Sequence, residues 1–157
     1  MLLLNGVTGL TDGSDGDYQQ QDGKQFKKLC FSFVLPNGGK IINFTEPQID
    51  TNFFKVEVEI FGRRRYILLN ESYPFLAFAS NVGYFSIDFV DESRLAELFS
   101  PFYCVVEAIE LNEPLKIKLG PKNDILENDN ELSRLELKEI AYWRPTKIGS
   151  VIFNHWD

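Results

Sequence analysis

The chain has 157 residues, 16 Lys and Arg against 23 Asp and Glu, and a formal net charge of −7. This length suits one domain with a real core, and 44% hydrophobic residues with only two cysteines exclude a disordered tail, a collagen repeat and a disulfide scaffold. An acidic balance argues against a direct nucleic-acid binder, because neutralising phosphates takes an excess of Lys and Arg.

The first residues, MLLLNGVTGL, lack a basic leader and break at Asn5 and Gly6, so no secretory signal is expected. No apolar run reaches the roughly 20 residues of a membrane span, and the chain is expected to be soluble and cytoplasmic. Cys30 and Cys104 lie in apolar runs and read as buried free thiols. Asn43-Phe44-Thr45 and Asn70-Glu71-Ser72 match the glycosylation sequon, a pattern short enough to arise by chance.

In chain order, Thr11 to Lys24 is rich in Gly, Asp and Gln and is predicted to be an exposed acidic loop carrying Asp12, Asp15, Asp17 and Asp22. Leu29, Phe31, Phe33 and Leu35 alternate with Cys30, Ser32 and Val34, which predicts a strand. Asn37-Gly38 then predicts a tight hairpin returning through Lys40 to Phe44. Phe54, Val56, Val58 and Ile60 alternate with Lys55, Glu57 and Glu59, a strand with one wet face. A turn near Gly62 leads to a strand over Tyr66 to Leu69, and Phe85, Ile87 and Phe89 mark another. Asp91 to Phe99 has helical spacing, with Asp91 as the cap. Cys104 to Leu111 and Leu115 to Leu119 read as strands. Leu132 to Trp143 shifts parity midway and is predicted as a strand ending at Arg144, before Pro145. Ile148, Val151, Ile152 and Trp156 share one face of a helix over Thr146 to Trp156, capped by Thr146. These elements sum to a single α+β domain over 1–157, a mostly antiparallel sheet with two or three short helices packed on it.

No catalytic constellation emerges. The single His, His155, reads as a surface or half-buried residue near a helix end, where positive charge is mildly favoured. One His and two distant Cys lack zinc-ligand spacing. The acidic loop fits no register of a calcium-binding EF-hand. Gly38-Gly39-Lys40 lacks the rest of a phosphate loop. Gly62-Arg63-Arg64-Arg65 is the one basic cluster and reads as a solvated turn. No metal, no cofactor and no enzymatic activity are therefore expected. The remaining feature is charge asymmetry: beside the first acidic loop stands 124–139, with Asp124, Glu127, Asp129, Glu131, Glu136 and Glu139 against Arg134 and Lys138. Such a surface hastens association with a basic partner.

The segment Tyr142-Trp143-Arg144-Pro145, with Ile148-Gly149, Val151-Ile152-Phe153-Asn154 and Trp156-Asp157, resembles the ending of small bacterial immunity proteins found beside polymorphic or contact-dependent growth inhibition toxins. Looser similarity covers Tyr73-Pro74-Phe75-Leu76-Ala77-Phe78 and Val82-Gly83-Tyr84-Phe85. The resemblance implies binding rather than catalysis: occlusion of one cognate toxin C-terminal domain, often a basic nuclease. It carries over no catalytic residue, and Trp143 and Trp156 are expected in the core. The expected rim of the contact is Asp12, Asp15, Asp17 and Asp22 with Asp124, Glu127, Asp129 and Glu131. An enzyme of unrecognised class and an adaptor or structural module stand as alternatives.

Overall fold

A computed structural model describes residues 1–10, 20–122 and 124–156. Among these residues the elements are α1 (Gly23–Val34), a short 3-10 turn (Leu35–Asn37), β1 (Lys40–Thr45), β2 (Phe53–Ile60), β3 (Arg63–Asn70), β4 (Phe75–Val82), β5 (Ile87–Val90), α2 (Ser93–Phe99), β6 (Cys104–Val105), α3 (Ala108–Leu111), β7 (Ile117–Lys118), β8 (Ile125–Leu126), α4 (Arg134–Trp143) and α5 (Gly149–Ile152). The fold is α+β, as the alternating patterns predict. β1 to β5 form an antiparallel sheet in sequence order, and β6 joins β4 in parallel at Phe75 and Leu76. β7 and β8 form a separate small hairpin.

The sheet is covered on both faces. On the first, Phe54, Val56, Val58 and Ile60 of β2 join Ile67, Leu69, Leu76 and Phe78 under Phe26, Cys30 and Val34 of α1 and Leu95 and Phe99 of α2. On the second, Phe53, Leu68, Ala77, Ala79, Ile87 and Phe89 pack against Leu3, Val7, Leu111, Ile140, Ile148, Val151, Ile152 and Phe153. The single wet face expected of β2 is thus dry at its Phe53 end, where the N-terminal segment and α5 cover it. Towards the Gly62 turn, Glu57 and Glu59 of that face do meet Arg64 and Lys40 near solvent.

Three segments read as strands are helical. Leu29 to Val34 belongs to α1 and Leu35 opens the 3-10 turn after it, because Phe26, Leu29, Cys30, Phe33 and Val34 repeat at i, i+3, i+4, i+7 and i+8. Asp22 caps that helix, accepting from the Lys24 and Gln25 amides at 3.0 and 3.2 Å. Asn37-Gly38 is consequently a helix stop and no hairpin, with Gly38 in the left-handed region at φ 78°. Leu132 to Trp143 holds α4, started by a reciprocal capping box between Ser133 and Glu136. Cys104 to Leu111 divides into the two-residue β6 and α3, and Leu115 to Leu119 keeps only Ile117–Lys118 as strand.

Smaller corrections follow from burial and bonding. Cys30 is buried, and burial pushes its thiol far above the ordinary range, but Cys104 is exposed. Asp91 does not cap α2; its carboxylate accepts from the Ala108 amide at 2.9 Å and tethers α3 instead. The C-terminal helix is only Gly149–Ile152, with Ile148 rather than Thr146 at its start. Phe85 lies outside β5 and points to solvent. Asn70 is fully buried and bonded, so its sequon offers no acceptor to a glycan. No helix among the described residues is long and apolar enough to cross a membrane.

Candidate functional site

Of the expected acidic rim, five residues are described, and Asp22 stands on a different face of the sheet from the other four. Asp12, Asp15 and Asp17 lie outside the described residues. Asp22 is spent on capping α1, over the first face of the sheet. The stretch from 11 to 24 is therefore not all loop: its last two residues are the first turn of that helix. Asp124, Glu127, Asp129 and Glu131 are all exposed. They follow the β7–β8 hairpin and a strap that runs beside Leu3, on the second face. Leu3 donates to Asp129 O and accepts from Glu131 N at 3.0 and 2.7 Å, which fixes the strap. Lys118 pairs with Ile125, and Lys116 O accepts from Glu127 N, so two lysines stand beside these acids and dilute their charge. Glu136 is not a surface acid. It is fully buried, and its carboxylate accepts from Gly6 N, Thr8 N, Thr8 Oγ1 and Ser133 N.

The basic turn is also engaged. Arg65 pairs with Glu92 at 2.6 Å in a largely buried contact, and Arg64 meets Glu57 at 3.1 Å. Arg65 is thereby committed inside the fold, whereas Arg64 stays at the surface in a weak, exposed pair.

Among the described residues a cleft of about 460 Å³ lies by Asp22, Glu46 and Glu71, and a smaller groove of about 260 Å³, richer in aromatic rings, lies between two walls. One wall is the β4–β5 turn, Gly83 to Ile87, closed by the Gly83 amide donating to Ser86 O at 2.8 Å. The other is the end of α4, Trp143 to Thr146. Here the Arg144 amide donates to Ile140 O at 2.9 Å with Arg144 at φ 50°, and Pro145 prevents further helix. This left-handed turn lets the residue before proline escape the right-handed helical region without becoming extended. Trp143 Nε1 donates to Glu139 Oε2 at 2.9 Å, which fixes the indole.

The floor is Ser150, Phe153 and Asn154, with His155 and Trp156 beside them. Its depth is set by Gly149: a methyl group there would meet Phe89 at 2.2 Å, so only glycine lets α5 approach the sheet this closely. Asn154 is held in place by donating its amide N–H to Asn52 Oδ1 at 2.8 Å and its Nδ2 to Thr8 O and Val151 O. His155 lies edge-on to Phe53 and against Tyr84, with ring centroids 5.3 and 5.4 Å away. Burial lowers its pKa; Asp50 pulls the other way and Lys55 adds to the lowering. Burial thus disfavours the imidazolium, against the mild preference for a cation near a helix end.

Aromatic groups crowd the groove's mouth. Phe85 is 89% exposed, Tyr142 76% and Tyr84 51%. Tyr84 and Phe85 touch edge to face on one wall, and Trp143 of the other wall is touched edge to face by Tyr142, which lies outside the lining. Trp143 and Trp156, expected in the core, are half-buried groove walls. Among the described residues no Asp or Glu lines the groove. The periodicity arguments missed Tyr84, Phe85, Tyr142 and Arg144. The signal available was the resemblance, since its two separate stretches, Val82–Phe85 and Tyr142–Trp156, are what the fold brings together.

Comparison with known proteins finds no matching family model, no matching curated protein and no matching solved structure.

Proposed function

We propose that this chain is an immunity-type binding protein that neutralises one cognate toxin C-terminal domain, a basic nuclease in the simplest case, by one-to-one occlusion in the cytoplasm. The observation that carries this reading is the groove. The residues that give the C-terminal stretch its resemblance to immunity proteins meet the Gly83–Phe85 turn across it and hold Tyr84, Phe85 and Tyr142 in water. Tyr, Trp, Phe and Arg are the residue types enriched at the centres of protein interfaces. A net charge of −7 adds attraction to a basic partner. On this reading the protein transforms no substrate, and its effect saturates at one equivalent.

The test is co-expression with the toxin domain encoded by the neighbouring reading frame. Growth should be rescued, and the mixed proteins should elute as a 1:1 complex in size-exclusion chromatography with light scattering. Growth arrest that persists while the folded protein accumulates would overturn the proposal.

A further inference from the structure

We infer that the groove between the β4–β5 turn and the end of α4 is the anchor pocket of the interface, and that it receives one apolar side chain, aromatic or long aliphatic, projecting from a positively charged protein surface. The inference rests on the immunity reading and names the partner chemistry of that same site.

Size comes first. A volume of 260 Å³ is below the roughly 300–1,000 Å³ of pockets that enclose small molecules. It holds on the order of nine waters at about 30 Å³ each, so one large side chain can enter and displace most of them.

Lining chemistry comes second. Tyr84, Phe85, Trp143, Phe153 and Trp156 offer ring surface from both walls and the floor. Burial disfavours the charged form of the His155 imidazole, which packs against Tyr84. Asn154 has its amide N–H groups committed inside the fold. The one formal charge in the lining is Arg144, which disfavours a lysine or arginine as the inserted group. An apolar insert loses nothing to it, and an aromatic one can stack on the guanidinium plane.

Setting comes third. Phe85 stands in water on one wall, and Tyr142 does so just outside the other, against Trp143, each forgoing the stabilisation of burial. Ile49 and Ile109 are also exposed, but singly and on separate elements, which needs no explanation. The chain has a net charge of −7 and a pI near 4.8, and Asp124, Glu127, Asp129 and Glu131 stand exposed along the strap that leads to α4. A partner with an apolar projection and basic groups to one side of it matches both parts: the projection fills the groove and the bases meet the strap.

The sequence contains only two tryptophans, Trp143 and Trp156, and both line the groove. Incorporation of 5-fluorotryptophan therefore places two ¹⁹F reporters at the site and none elsewhere in this chain. With one equivalent of the unlabelled toxin domain, both resonances should move. A double substitution, Phe85→Ser with Tyr142→Ser, should weaken the complex at least tenfold by calorimetry. These positions are exposed, so the fold should survive, and an unchanged thermal midpoint confirms it. A 1:1 complex that leaves both resonances in place, or that the double variant binds with undiminished affinity, overturns the anchor assignment and leaves the immunity reading standing. Failure of the unaltered protein to bind or protect overturns that reading, and the anchor assignment with it.

Discussion

Three buried asparagines and one buried glutamate tie the second layer of the molecule together. Asn52 and Asn70 each donate Nδ2 to the same two carbonyls, Val7 O and Ile152 O, at 2.8 to 3.0 Å. Asn154 donates to Thr8 O, and Glu136 gathers the amides of Gly6 and Thr8. The N-terminal segment thereby docks without belonging to the main sheet. Removing one partner from such a network leaves another group buried and unbonded, at about 1–3 kcal/mol, more where charge is involved. Asn52→Leu takes the acceptor from the Asn154 amide and should cost about 1–3 kcal/mol in urea unfolding. Glu136→Gln is nearly isosteric, yet it turns an NH₂ towards amide donors and should cost about 3 kcal/mol. A loss below that of Asn52→Leu would show that Glu136 is not the stronger tie. His155 gives a pH signature at the same scale. Its folded pKa lies below the unfolded 6.5, so the unfolded chain takes up the proton first. The stability contribution is complete above pH 6.5 and declines as pH falls towards the folded pKa. His155→Gln should therefore compare more favourably with the unaltered protein at pH 5 than at pH 8 in paired urea titrations.

At the level of elements, packing rather than propensity decides where the chain is helical. Gly149 is the clearest case: Gly149→Ala drives a methyl into the Phe89 ring and should destabilise by about 1–3 kcal/mol through overpacking. It should also disturb the two fluorinated tryptophans, since α5 leads directly into the groove floor. Ser133→Ala removes the cap of α4 and should cost about 1 kcal/mol. β2 was legible because one side of its pleat, Phe54, Val56, Val58 and Ile60, is apolar along its length. α1 was not, because Phe31 and Leu35 are exposed apolar residues that complete a false alternation, while Phe26, which restores the helical repeat, precedes the run. α4 was hidden for a different reason. Its inward line, Leu132, Glu136, Ile140 and Trp143, has a carboxylate where a hydrophobe is expected, and the donors that justify it come from Gly6 and Thr8. The groove was legible only as two stretches of resemblance, because its walls are 60 residues apart in sequence and meet through the register of β4 with β5 and the depth of α5.

Across the whole molecule, charge and anchor occupy different places. The acidic strap precedes α4 and the groove follows it, and ten helical residues put about 15 Å between them. A partner face of about 800 Å² can span both, and the two regions should then govern different rate constants. Reversing exposed rim charges acts mainly on encounter, whereas emptying a desolvated anchor acts on escape. The triple variant Glu127→Lys, Asp129→Lys and Glu131→Lys cancels most of the net charge of −7. In stopped-flow mixing with the toxin domain it should slow association about tenfold at low salt, and the difference should fade as ionic strength approaches 1 M, where the Debye length is only about 3 Å. Its dissociation rate should hardly change. The Phe85→Ser and Tyr142→Ser pair should show the reverse, a faster dissociation with association nearly intact. Asp22→Lys is the internal comparison, because Asp22 sits at the start of α1 on the opposite face of the sheet. A partner seated on the groove and strap leaves that face uncovered, so this variant should slow association less than any single reversal in the strap. If Asp22→Lys slows it more, the partner approaches from the α1 side, and the strap and groove cannot be its seat.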